Sequence, residues 1–254
     1  MILAAGRGER MRPLTDHTPK PLLAVRGKPL IEWHLLALAR AGVREVVVNT
    51  AWLEPAITAA LGDGARFGIT IRYSMEGRDH GGALETAGGI AKALPLLVAH
   101  ADDAFWLVSG DIFAPQFAFD AADAQRFSES AAHAHLWLVP NPPFHARGDF
   151  GLDDQGFGLA DAPGAPNAQV QRWTYANLAL CRAALVAGVV PGTRAALGPL
   201  LYAGMRARRI TAEVYRGEWE NVGTPAQLEA LNGEAPAASP ILPTSSAVTA
   251  PAVR

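Results

Sequence analysis

The sequence predicts an α/β fold in which a Rossmann-like, doubly wound sheet is mixed but mostly parallel. Short continuous apolar runs, typical of strands covered on both faces, alternate with segments of helical length and pattern. The first of these runs leads directly into a turn with two glycines, Gly6 and Gly8. The chain has 254 residues, half of them hydrophobic, which is enough for one large α/β domain. Strands and helices that alternate at this spacing build right-handed βαβ units and therefore a parallel sheet.

In the first half of the chain the elements follow one another regularly. A short strand opens the chain, and further strands are expected at 44–49, 69–73 and 104–109. Helices are expected at 28–42, 55–61 and 84–97. In the first of them Pro29 lies near the first turn and Gly42 ends the helix.

Beyond position 115 the alternation weakens. We expect helices at 116–131, 198–208 and 225–231, strands at 135–139, 174–180 and 210–215, and a small hairpin with loops within 147–170. The sheet should continue through this half, so that residues 1–231 form a single domain with a substrate-facing cap at roughly 140–180. Residues 235–254 are mainly Ala, Pro, Ser and Thr, a composition that predicts a disordered tail.

Composition and charge restrict the class of protein. The net charge of −2 gives no electrostatic reason to expect nucleic acid or a membrane surface as a partner. No apolar run approaches the roughly 20 residues of a membrane span, and because no basic region precedes an apolar core at the N-terminus, we expect no secretion signal. The one cysteine, Cys181, lies in an apolar strand and is expected to be a core residue. We therefore expect a soluble, cytoplasmic protein, a monomer or a small homo-oligomer.

The opening stretch has the residues of a phosphate-binding loop. Glycines let backbone N–H groups approach a ligand closely, and arginine and lysine bind phosphate oxygens. Lys20 lies between two prolines that stiffen its segment. Met11 occupies the position where a dinucleotide motif needs its third glycine, and the chain has no P-loop tripeptide. The alternative, an ordinary turn beside a basic surface cluster, would be favoured by the two glycines alone.

A carboxylate follows the strand predicted at 104–109. In a doubly wound sheet, ligands bind beyond the carboxyl ends of the strands, where both Asp111 and the opening loop should lie. A carboxylate next to phosphates suits Mg²⁺. The alternative is a turn residue or a helix cap.

The opening motif resembles the signature of the sugar-1-phosphate nucleotidyltransferases. The likeness rests on Gly6-x-Gly8-x-Arg10-Met11-x-Pro13-Leu14-Thr15 followed by Pro19-Lys20-Pro21, and it extends with gaps to about Leu231. Within that family the motif is most similar to the uridylyltransferases that act on N-acetylmuramic acid 1-phosphate in bacterial cell-wall recycling. The resemblance implies UTP and a sugar 1-phosphate as substrates, and a UDP-sugar and pyrophosphate as products.

The resemblance also implies roles for individual residues. Arg10 would hold the leaving β- and γ-phosphates, and Lys20 would bridge the α-phosphate and the acceptor phosphate. Mg²⁺ would bind Asp111 and Asn221, although the family has aspartate at the second position; Glu220 is an alternative ligand. Implied nucleotide contacts are Ala4, Ala5, Gly6, Arg7, Gly8, Glu76, Glu85, Thr86 and Gly88. Implied sugar contacts are Ser109, Gly148, Asp149, Asp161 and Asn177.

Several alternatives stay open at this stage. The segment 85–89 could be only a flexible helix start, and Asp149 only a β-turn residue. Arg147 is a candidate partner for the lactyl carboxylate of a muramic acid substrate. A glucose- or mannose-1-phosphate nucleotidyltransferase that uses another nucleotide is the second enzymatic hypothesis. Because Asn221 lacks a charge, a catalytically weak sugar-nucleotide sensor is a third.

Overall fold

The computed structural model describes residues 1–100, 102–160 and 171–233. The strands are β1 (Ile2–Leu3), β2 (Ala24–Val25), β3 (Lys28–Pro29), β4 (Glu45–Thr50), β5 (Thr70–Met75), β6 (Ala104–Ser109), β7 (Ile112–Phe113), β8 (Ala134–Val139), β9 (Phe150–Leu152), β10 (Gly158–Leu159), β11 (Arg172–Arg182), β12 (Ile210–Val214) and β13 (Glu220–Asn221). The α-helices are α1 (Leu30–Arg40), α2 (Glu54–Leu61), α3 (Glu76–His80), α4 (Glu85–Leu97), α5 (Ala121–Glu129), α6 (Gly198–Arg206) and α7 (Pro225–Gly233). The tail expected at 235–254 and Asp161 lie outside the described residues.

One mixed sheet carries most of these strands, in the order β10-β9-β11-β6-β1-β4-β5, and β8 and β12 extend it beside β11. The neighbours β6, β1, β4 and β5 run parallel, as the alternation of strands and helices predicts. The strand β11 runs antiparallel to β6, β8 and β9 and links the two halves of the chain. The predicted doubly wound α/β fold is confirmed.

Both faces of the sheet are covered. Along β4, the side chains of Val46 and Val48 join one buried cluster, and Val47 joins the cluster on the other face. In β6, Val108 and Leu107 divide in the same way. Successive side chains of a strand point to opposite faces, so two cores explain why these runs are apolar throughout. Cys181 is 1% exposed and belongs to the second core.

The helix expected at 116–131 begins only at Ala121. Upstream of it, Phe117 and Phe119 are buried against Trp106 with their rings edge to face. Asp120 then caps the helix by accepting a hydrogen bond from the Ala122 N–H at 2.8 Å. In a helix, two residues that are two positions apart point to different sides, so the two phenylalanine rings could not both reach this cluster. Their packing therefore keeps this segment out of the helix.

The topology brings the two predicted ligand-binding segments together. Leu3 at the end of β1 pairs with Ser109 at the end of the parallel strand β6. The opening loop and Asp111 therefore leave the sheet side by side. A small antiparallel pair, β7 and β13, then places Asn221 opposite Ile112. Among the described residues, no helix is long and apolar enough to cross a membrane.

Candidate active site

The opening loop forms one wall of a cavity of about 470 Å³. Gly8 adopts a φ of 70°, and a Cβ there would lie 3.0 Å from Thr15 and 3.2 Å from Lys20. Only glycine fits this left-handed turn without strain. The predicted residues of the opening stretch that line the cavity are Ala4, Ala5, Gly6, Gly8, Arg10 and Lys20. Arg7 does not line it, because its guanidinium lies 3.8 Å from the Trp52 ring centre and pairs with Glu9.

Lys20 and Asp111 form a close ion pair in this cavity. The Lys20 Nζ lies 2.6 Å from Asp111 Oδ2, and the Ser109 hydroxyl donates to Asp111 Oδ1 at 2.7 Å. The Lys20 side chain is only 8% exposed, whereas that of Asp111 is 30% exposed. Burial by itself would raise the pKa of Asp111, but the Lys20 charge and the two hydrogen bonds outweigh it and lower that pKa. Asp111 therefore stays ionised at neutral pH.

Asn221 lies in the segment that pairs with the residues around Asp111. The Val222 N–H donates to the Asp111 carbonyl at 3.1 Å, which ties the two segments together. The Asn221 Oδ1 is buried and accepts no hydrogen bond from the described residues. A buried carbonyl oxygen without a partner is costly unless a ligand satisfies it. The described residues contain no group of three or more His, Cys, Asp or Glu that could hold a metal. Carboxylate and amide oxygens such as those of Asp111 and Asn221 are ligand types that Mg²⁺ accepts when phosphates and waters complete its coordination.

A second cavity of about 520 Å³ adjoins the first. Four residues line both cavities: Leu3, Arg10, Thr86 and Ser109. The Arg10 terminal nitrogens lie near Gly223, where an added Cβ would be 3.4 Å away. Asp111 lines the first cavity and Asn221 the second. Each cavity thus has one of the two proposed oxygen ligands in its lining.

Several residues between positions 144 and 177 line the second cavity. The predicted Asp149 lines it, accepts a hydrogen bond from the Tyr175 N–H at 2.8 Å and lies 2.9 Å from His145. Asn177 also lines this cavity. It lies where the pairing of β11 with β8 shifts in register, and its φ there is 58°. Sequence reasoning missed further residues that line this cavity, among them Phe144, His145, Thr174, Tyr202 and Trp219. The motif Pro-Pro-Phe-His before Gly148 was the one available signal for two of them.

Two predicted glycines have structural roles instead of lining a cavity. The Gly88 N–H donates to the Ala195 carbonyl at 3.1 Å, and a Cβ on Gly88 would lie 2.3 Å from the Thr193 carbonyl oxygen. Gly148 has a φ of 61°, and a Cβ there would lie 2.5 Å from Asn141 Oδ1. Close packing explains both glycines. Glu85 and Thr86, by contrast, line the first cavity.

Glu76 belongs to a buried network between the loops of the first cavity. It accepts hydrogen bonds from Asn49 Nδ2 and from the Leu84 N–H, each at 2.7 Å. Asn49 Oδ1 in turn accepts from the Ala4 N–H at 2.8 Å. Burial raises the pKa of Glu76 although both hydrogen bonds act against it. This side chain thus connects the opening loop with the segment before α4.

His34 lies behind the ion pair and was given no role by the sequence. Its imidazole is 1% exposed, and its Nε2 lies 2.9 Å from the Ile112 carbonyl oxygen. Burial lowers the pKa of His34 to about 4, against the opposing effects of that carbonyl and of the Asp111 charge. A neutral imidazole therefore donates to the backbone next to Asp111 and supports β7.

The chain is similar in sequence to known nucleotidyltransferases. Residues 1–156 match the family described as "Nucleotidyl transferase". The N-acetylmuramate alpha-1-phosphate uridylyltransferase of Neisseria meningitidis serogroup B is 47% identical over 232 residues, which are 90% of this chain and 94% of that protein. The glucose-1-phosphate thymidylyltransferase of Streptomyces griseus is 26% identical over 91% of this chain and 64% of its own length. The crystal structure of HddC from Yersinia pseudotuberculosis shares the fold, with a TM-score of 0.66 and 16% identity over 91% of this chain and 96% of that one.

Proposed function

This chain belongs to the nucleotidyl transferase family, and on that premise we propose that it joins UTP and N-acetylmuramic acid 1-phosphate to give UDP-N-acetylmuramic acid and pyrophosphate. The observation that carries the proposal is the boundary shared by the two cavities, with Asp111 in the lining of the first and Asn221 in the lining of the second. A nucleotide in the first cavity and a sugar phosphate in the second would meet there. The name of the Neisseria relative supports the choice of substrates.

The chemistry needs little from side chains beyond charge and position. An oxygen of the sugar phosphate attacks the α-phosphorus of UTP, and the bond from that phosphorus to the β-phosphate oxygen breaks. The nucleophile is already an anion, so no general base has to remove a proton. In-line placement and stabilisation of the developing charge by cations account for the acceleration.

Arg10 and Lys20 are the cations best placed for these tasks. Arg10 lines both cavities and would hold the β- and γ-phosphates as they leave. Lys20 is held at Asp111 and would bridge the α-phosphate and the acceptor phosphate. Ordering Lys20 costs little on binding, because its side chain is already almost completely buried.

The oxygens of Asp111 and Asn221 would hold Mg²⁺, and the unpartnered Asn221 Oδ1 is the atom that supports this assignment. When bound, the ion supplies positive charge to the phosphate oxygens. One sheet contributes the strand ends that border both cavities, so we propose that residues 1–231 act as a single catalytic domain with the cap at 140–180 inside it.

A pyrophosphate-release assay with four nucleoside triphosphates and several sugar 1-phosphates tests the proposal. We expect the highest kcat/KM with UTP and N-acetylmuramic acid 1-phosphate. Preference for glucose 1-phosphate, or for another nucleotide, would refute these substrates. Absence of turnover with every pair would favour the sugar-nucleotide sensor.

A pair of lysine variants tests the site. We expect Lys20→Ala to lower kcat by about a hundredfold or more, as for other preorganised transition-state donors. Lys28→Ala is the matched control, because the Lys28 ammonium lies 4.2 Å from the Trp33 ring centre and lines neither cavity. Near-normal turnover by a folded Lys20→Ala protein would refute the role of Lys20.

A further inference from the structure

The turn at Pro143–His145 forms a part of the second cavity whose chemistry differs from that of the reaction centre. Phe144 is 55% exposed, and the neighbouring His145 side chain is 40% exposed. Both line the same cavity as three residues that serve the proposed reaction centre, Arg10, Ser109 and Asn221. An apolar ring and an imidazole thus stand together at a site that the reaction itself does not use.

Cations are scarce in this cavity. Among the described residues that line it, Arg10 and His145 are the ones that can carry a positive charge. Arg10 is assigned to phosphates, which leaves His145 for any other anionic group of the substrate. Arg147, the candidate from the sequence, is exposed and does not line the cavity.

His145 is held in place before any substrate binds. Its Nε2 lies 2.9 Å from Asp149 Oδ1, and Asp149 is fixed by the Tyr175 N–H. The turn is held further by Arg172, whose guanidinium donates to the carbonyls of residues 147 and 149 at 3.0 and 2.6 Å. With Nε2 directed to Asp149, Nδ1 is the ring nitrogen left for a ligand, and it makes no hydrogen bond to the described residues. The Asp149 contact fixes the orientation of the ring, and an imidazolium donates from both ring nitrogens, so it can lie between two carboxylates.

We infer that Phe144 and His145 recognise the lactyl ether of a muramic acid substrate, with the His145 Nδ1–H donating to its carboxylate and the Phe144 ring contacting its methyl group. The inference rests on the proposed function. The anomeric phosphate belongs at the junction of the cavities, and the lactyl group on O3 projects away from it. This carboxylate is absent from N-acetylglucosamine 1-phosphate, so His145 would determine specificity without taking part in the transfer.

Asp149 is the strongest objection, because its charge would repel a second carboxylate. Both Asp149 oxygens are already engaged, one by His145 and the other by the Tyr175 N–H. The lactyl carboxylate would approach the opposite nitrogen of the ring. A competing explanation is that His145 only orients Asp149 toward sugar hydroxyls, and this explanation predicts equal effects on both sugars.

The test compares kcat/KM for the muramic and glucosamine sugar phosphates in wild type, His145→Gln and Arg147→Gln. In His145→Gln, loss of a charge-assisted hydrogen bond should lower the ratio of kcat/KM for the muramic substrate to kcat/KM for the glucosamine substrate about tenfold or more. Arg147→Gln, a matched loss of a nearby cation outside the cavity, should leave the ratio unchanged. Thermal melting of each variant verifies that it is folded.

The outcomes separate the hypotheses. An equal fall for both sugars in His145→Gln, or an unchanged ratio, overturns the inference, and so does a ratio that responds only to Arg147→Gln. If wild type uses glucosamine and muramic sugar phosphates equally well, the substrate assignment of the proposed function fails first. If wild type prefers the muramic substrate while His145→Gln keeps that preference, only the present inference fails.

Discussion

Replacement of His34 by glutamine should make the free energy of unfolding less sensitive to acid. The unfolded chain binds a proton on histidine near pH 6.5, whereas burial lowers the folded pKa of His34 to about 4. As pH falls below 6.5, protons therefore favour the unfolded state. One pKa unit corresponds to about 1.4 kcal/mol, so folded wild type should lose about 3 kcal/mol through His34 by pH 4. About 2 kcal/mol of this should be lost already at pH 5, and nothing above pH 7.5.

Urea unfolding of wild type and His34→Gln between pH 8 and pH 4.5, in metal-free buffer, measures the term. Other groups titrate as well, including His133 and His135, whose pKa values burial also lowers. The difference between the two proteins cancels their contribution. Glutamine can still donate to the Ile112 carbonyl, so the variant should be the less stable protein at pH 8 by only a modest amount. The free-energy difference should then shift in favour of the variant by about 2 kcal/mol at pH 5. A difference that stays constant with pH would refute the reasoning.

Two further substitutions address the cavity walls. Asn221→Asp adds a second carboxylate near Asp111, so calorimetry should show that Mn²⁺ binds the variant about tenfold more tightly than wild type. Because like charges repel, the metal-free variant should melt at a lower temperature than wild type. Unchanged Mn²⁺ affinity would exclude residue 221 from the ligands. Gly89→Ala would place a Cβ 2.5 Å from the Glu76 Oε1 and 2.9 Å from the Asn49 Nδ2. We expect it to cost about 1–3 kcal/mol in urea unfolding and to raise the KM for UTP. Gly82→Ala, which meets nothing within 4 Å, is its control; equal behaviour of the two variants would contradict the role of the network.

The parts of the site that the sequence could predict are those with a local signal. Gly8, Lys20 and Asp111 each follow a strand or turn whose pattern is visible within about twenty residues, and parallel pairing then brings them together. Gly88 shows the limit of this reasoning. Glycines at a helix start suggest approach to a ligand, but only the fold shows that the segment around Ala195 occupies the space beside this one.

Long-range hydrogen bonding was the other feature that could not be predicted from the sequence. In the sequence, Arg182 lies two residues beyond the strand predicted at 174–180. In the structure it is 8% exposed, and its guanidinium donates to five backbone carbonyls around the end of α5 and in the segment before β6. Those carbonyls lie 50 to 80 residues away along the chain. Nothing in the local pattern distinguishes such an arginine from an exposed one, because its partners are main-chain groups with no sequence signature.

The buried network around Glu76, which lines the first cavity together with Asn49, holds two walls of that cavity together. Each Glu76 oxygen already accepts a hydrogen bond, one from Asn49 and one from the Leu84 N–H. Asn49 also holds the Ala4 N–H of the opening loop. A glutamine at position 76 could accept only one of these two bonds, and its amide would face a second donor. The carboxylate thus fixes the spacing between the loop that would hold the phosphates and the segment that would hold the base. Its effect on nucleotide binding should therefore follow from the distance between these two walls, even though Glu76 resembles a nucleotide-contacting residue in sequence.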